Sequence, residues 1–135
     1  MKKTVSFCLL LAVVFSIFSG CTDTNEQAIE VLYLVSVVDA KGTEILYDAG
    51  TLVKKSPKAS DALKEACRKQ EMPYTNTNGL YGGFGGIQST LESGWLFYFN
   101  GDLASQGIED VPLLENEQNV IEFRYENYSE AFTLQ

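Results

Sequence analysis

The sequence predicts a small α+β domain, a mixed sheet with one crossing helix, behind a cleaved signal peptide. Three observations carry this expectation. The first 20 residues have the charge and hydropathy of an export leader. Short segments rich in β-branched and aromatic residues recur along the rest of the chain. One segment, residues 60–70, combines strong helix formers with a single apolar stripe. A chain of 135 residues has room for one domain and a short appendage, not for two compact domains.

Met1-Lys2-Lys3 is a positive n-region, and residues 5–18 form an apolar run of h-region length, short of the roughly 20 apolar residues a membrane span needs. Ser19 and Gly20 place small side chains directly before Cys21. The order Phe18-Ser19-Gly20-Cys21 resembles a bacterial lipobox, whose cysteine is acylated after cleavage before it, although Phe18 stands where Leu, Val or Ile is usual. Residues 1–20 are therefore expected to be a lipoprotein signal peptide and Cys21 the lipidation site. This would hold the protein at the cell membrane on the extracytoplasmic face of a bacterium. An ordinary secretory signal or an uncleaved anchor is the alternative. Residues 21–29 are mostly polar and suit a flexible tether, leaving 30–135 as the folded domain. Cys8 leaves with the leader and Cys21 carries lipid, so Cys67 has no disulfide partner. It shares a helical stripe with Ala62, Leu63 and Ala66, which predicts a small buried core residue and not a nucleophile.

Residues 30–39 are apolar on both alternating faces and read as a central strand. Lys41-Gly42 supplies a turn, residues 44–48 the returning strand, and Gly50 its end. Ser60 is the expected N-cap, with Asp61 at the positive end of the helix dipole, and Pro73 stops the helix by biasing Met72 away from helical angles. Residues 73–77 read as a further strand. Residues 79–86 hold five glycines and two aromatics, a loop able to adopt unusual backbone angles and to let a ligand or strand come close. They lack the Gly-Lys-Ser/Thr of a P-loop and the flanking elements of a Rossmann turn. Residues 95–99 lead into Asn100-Gly101, a type I′ hairpin signal that pairs Phe99 with Asp102, Phe97 with Ala104 and Trp95 with Gln106. That register puts Trp95, Phe97 and Phe99 on one face and Leu96, Tyr98 and Leu103 on the other. Residues 120–125 are the last strand, and 127–135 a short added strand or a frayed tail.

Composition narrows the function. Loss of Lys2 and Lys3 with the leader takes the formal charge from −8 to −10, and no basic stripe with interleaved aromatics is present, so nucleic acid is not an expected partner. The chain contains no histidine, which removes Ser-His-Asp and Cys-His catalysis and His-containing zinc sites. The carboxylate pairs Glu109-Asp110 and Glu115/Glu117 lie in turn-like segments where a solvated face is the usual role, and no EF-hand spacing occurs. Neither an enzyme nor a metal site is expected.

Two strands, a helix and further strands ending in a tight hairpin are compatible with a β-grasp. The residues also resemble the transcobalamin-like C-terminal domain family, found alone in bacterial surface lipoproteins and as the small β-domain of animal cobalamin carriers. The resemblance is carried by Ser60-Asp61-Ala62-Leu63, Tyr81-Gly82, Gly94-Trp95 with Asn100-Gly101, Ala104-Ser105-x-Gly107, Asp110-x-Pro112-Leu113 and the terminal strand from Val120 to Tyr125. It implies a β-grasp-like domain that covers one face of cobalamin, whereas the helical partner domain of the animal carriers is absent here. The expected function is capture of cobalamin or a related corrinoid for a membrane transporter, with no other cofactor. A cell-surface protein-interaction module without a small ligand is the alternative. The candidate ligand contacts are Tyr81, Phe84, Trp95, Tyr98 and Asn100. Trp95 fits the core better than a ligand contact, Asn100 fits a turn former, and Tyr98 suits either role. Tyr81 and Phe84 favour contact because a glycine-rich loop offers them less core to enter.

Overall fold

The computed structural model describes residues 27–133; the leader, Cys21 and the chain beyond Thr133 lie outside them. Strand β1 (Ile29–Val38) buries Val31, Tyr33, Val35 and Val37 on one face. It pairs antiparallel with β2 (Glu44–Lys54) and parallel with β8 (Gln118–Asn127), a central position that explains its apolar composition on both faces. β2 runs on to Lys54, so Gly50 does not end it. Gly50 lies opposite Tyr33, and a Cβ there would come within 3.0 Å of both the Tyr33 hydroxyl and Lys69 Nζ. The glycine makes room for a cluster in which Tyr33 donates to Asp48 at 2.7 Å and Lys69 donates to Tyr33 at 2.9 Å.

Helix α1 (Ala59–Gln70) begins after an extended Lys58. Ser60, the expected cap, is instead buried in the first turn, and Asp61 does the capping: its carboxylate accepts from the Lys58 amide at 2.8 Å and from Lys54 Nζ at 2.5 Å. Burial pushes the Asp61 pKa up, but these hydrogen bonds outweigh it and hold the carboxyl below its usual value. The helix ends on Glu71 in the left-handed region, with the Met72 amide returned to the Cys67 carbonyl at 2.9 Å, before Pro73 forbids another turn. Ala62, Leu63, Ala66 and Cys67 lie against the sheet, and Cys67 is a buried free thiol.

The glycine-rich segment is a compact sheet and not a loop. β3 (Tyr74–Thr77), β4 (Leu80–Phe84) and β5 (Ile87–Gln88) form an antiparallel meander. Its two-residue turns are Asn78-Gly79 and Gly85-Gly86, all four at positive φ. β6 (Ser93–Phe99) and the two-residue β7 (Asp102–Leu103) complete a main sheet of order β2-β1-β8-β6-β7, the β-grasp-like mixed sheet that the sequence predicts. α1 and the β3-β4-β5 sheet cover one face of it, and the core lies between. The tail is neither a strand nor frayed up to Thr133: Asn127 accepts from the Ser129 amide at 3.0 Å and starts a short helix α2 (Tyr128–Thr133). Asn119, fully buried, accepts from the Leu114 amide at 2.9 Å and donates to the carbonyls of Leu32 and Leu114, tying the loop before β8 to the sheet.

Candidate functional site

The hairpin follows the predicted register for only part of its length. Phe99 pairs with Asp102, and the Ala104 amide donates to the Phe97 carbonyl at 3.0 Å, but Trp95 does not reach Gln106. After Ala104 the chain turns off the sheet through Gly107 into a 3-10 turn at Ile108–Asp110, because Ile108 is drawn into the core. This departure leaves the edge of β6 open and creates a groove of about 210 Å³ along it. Tyr81, Trp95, Phe97, Ala104 and Ile108 are among its lining residues, together with Leu96 and Phe132.

A cluster of packed rings stands behind the inner wall, Phe84 lying beneath it and Tyr81, Trp95 and Phe123 reaching the groove. Phe84 stands edge-on to Trp95 at 5.1 Å and lies 4.9 Å from Phe123; Tyr81 stacks on Phe84 at 6.0 Å. The Trp95 indole N–H donates to the Ile87 carbonyl at 2.9 Å, locking β6 to the small sheet. Gly94 is required beside it, since a Cβ there would collide with Ser89 and the Tyr128 hydroxyl. Tyr81 is only 4% exposed, and its hydroxyl makes no well-formed hydrogen bond, Asn76 being its one weak side-chain contact. Such a buried donor costs about 1–3 kcal/mol. Burial raises the Tyr81 pKa first, and the carboxylate of Glu109 raises it further.

The five residues expected to contact a ligand do not share one surface. Tyr81 and Trp95 are buried but line the groove. Phe84 is fully buried in the core and offers no ligand contact, because the glycines around it form strands that pack against the main sheet. Tyr98 is on the opposite face, where its hydroxyl donates to Glu126 at 2.9 Å and the Arg124 guanidinium lies 4.2 Å from its ring centre. Burial, then the Glu126 hydrogen bond, raise its pKa. Asn100 is a turn residue at φ 50° whose side-chain oxygen accepts from the Val120 amide at 2.8 Å, fastening the hairpin to β8. Leu103, Ala104, Gln106 and Gly107 line the groove without having been singled out as contacts. Their signal was the pair of small residues Ala104 and Gly107 just after the hairpin.

Among the described residues no group of three or more His, Cys, Asp or Glu side chains is placed to hold a metal ion, and no helix is long and apolar enough to cross a membrane. No protein-family model and no curated protein matches the chain. Among solved structures, a protein from Ruminococcus gnavus ATCC 29149, provisionally described as metal binding, is similar with a TM-score of 0.52 and 9% identity, over 72% of this chain and 97% of that one. At that identity the likeness is one of fold alone.

Proposed function

We propose that this protein is a lipid-anchored, extracytoplasmic binding module of a bacterial cell membrane that captures cobalamin or a related corrinoid and passes it to a membrane transporter. Convergence is the observation that carries the reading. Tyr81, Trp95, Ala104 and Gly107 belong to three separate segments that resemble the cobalamin carriers, yet all four line the one groove. A corrinoid is flat and partly apolar with polar arms, so a wall of rings beside an open backbone edge suits one of its sides. At about 210 Å³ the groove is smaller than the roughly 300–1,000 Å³ that encloses a whole ligand. One edge of the macrocycle enters, and a second surface from a partner closes the site and supplies most of the affinity.

Titration of the full chain with cobinamide and cobalamins, followed by corrin absorbance, tests this. A saturable spectral change at or below millimolar ligand is expected; none, alone or with a co-expressed transporter, overturns it. Anchoring is tested separately: Cys21→Ser should abolish lipid labelling, and undiminished labelling would remove the anchor. A second reading, a protein-interaction module, is favoured by the sheet face opposite α1, where Leu32, Tyr47 and Val53 are 54%, 50% and 66% exposed. Surface cross-links at Tyr47 together with a silent corrinoid titration would favour it.

A further inference from the structure

The open edge of β6 has a definite hydrogen-bonding character. Asn100 bonds backbone to backbone with Val120, and the β6–β8 pairing is antiparallel, so even-numbered residues of β6 turn their N–H and C=O groups toward β8 and odd-numbered ones toward β7. On that outer side the Phe97 carbonyl is taken by Ala104 and the Trp95 amide by Ser89 Oγ. Among the described residues β7 extends no further, and no return bond from the Phe97 N–H to Ala104, nor any to the Trp95 carbonyl, is formed. One backbone donor and one backbone acceptor thus face the groove from positions two residues apart.

We infer that the groove recognises a primary carboxamide on a short alkyl stem, the Phe97 N–H donating to the amide oxygen and the Trp95 carbonyl accepting from the amide nitrogen. The inference rests on the corrinoid reading above, since a corrin ring is rimmed by such arms, and it names the part of the ligand that enters. The alternatives satisfy the edge less well. A hydrocarbon would bury both groups unpaired, an ester would leave the Trp95 carbonyl without a donor, and a carboxylate would set an anion against that carbonyl with no charged residue in the lining. The apolar side chains of Leu103, Ala104 and Ile108 accommodate the stem.

The test compares dicyanocobinamide with the same macrocycle carrying methyl esters in place of its carboxamides, each titrated into the full chain by corrin absorbance. In parallel, butyramide and methyl butyrate are titrated while the backbone amide proton of Phe97 is followed by NMR. The amide corrinoid is expected to bind at least tenfold more tightly than the ester, and butyramide alone to give a saturable downfield shift at Phe97. Equal binding of the two corrinoids overturns the inference and leaves the corrinoid reading standing. Failure of both corrinoids with a retained butyramide shift overturns the corrinoid reading but supports an amide site. Failure of butyramide to shift Phe97 overturns the amide site itself.

Discussion

The two sides of the core are closed by different means. Beneath α1, small aliphatic groups from Ala62, Leu63 and Ala66 meet Val35 and Val37 of β1, and the polar groups there are paired, as in the Tyr33–Asp48–Lys69 cluster. Beneath β4, the space is filled by the rings of Tyr81, Phe84, Trp95 and Phe123. Small branched groups adapt to one another and pack densely; flat rings keep their shape and leave gaps at their edges. The groove and the poorly bonded Tyr81 hydroxyl both fall on the ring side. The difference separates a densely filled side from one whose rings leave a groove open.

The comparison is broken most directly at Phe84. Although it belongs to the ring side, it is fully buried, so Phe84→Ala should cost about 3–5 kcal/mol, comparable to Leu63→Ala beneath α1. Chemical denaturation measures both, and a cost below about 1 kcal/mol at Phe84 would mean the ring side is not a core at all. Next is Asn119→Ala, which strips partners from the Leu114 amide and the Leu32 carbonyl and should cost roughly 2–3 kcal/mol. If the loop before β8 is held by packing alone, the loss will be much smaller.

A pH scan sharpens the contrast on the α1 side. Burial pushes the Cys67 thiol up from 9.0 to about 11. The unfolded chain gives up this proton near pH 9 while the folded one retains it, so stability is fully present below pH 9 and falls as the pH rises toward 11, by roughly 2 kcal/mol. Comparison with Cys67→Ala isolates the effect, and parallel pH profiles for the two proteins would refute it. Thiol reagents should likewise modify the native protein far more slowly than the denatured one. Smallest is Tyr81→Phe: removing a hydroxyl whose one side-chain contact, Asn76, is weak should leave the ligand-free protein unchanged or stabilise it by up to about 1 kcal/mol, whereas a loss greater than about 1 kcal/mol would show that the hydroxyl is well paired with Asn76.

Local features carried much of the fold. Asn100-Gly101 forms the tight turn its residue types require, and the same rule applied to Asn78-Gly79 would have revealed a second hairpin where the glycine content suggested a loop. The cap at α1 was displaced because Asp61 finds a partner in Lys54, which arrives from β2. Of the candidate site, Tyr81 and Trp95 were legible as aromatics near glycines, but their burial was not, and Phe84 and Tyr98 were assigned to a surface they do not share. Two aromatics on one strand can face opposite ways, and which face is covered depends on what packs there.

The sequence by itself determined the periodicities of β1, α1 and β8, the hairpin at Asn100-Gly101 and the burial of Cys67, because each depends on residues close together in the chain. Only the tertiary structure decided that β1 lies parallel to β8, that the small sheet folds its rings onto β6, and that the chain leaves β6 after Ala104. The groove exists because Ile108 gains more from entering the core than Gln106 would from pairing with Trp95. That is a competition between distant contacts, which no local pattern records.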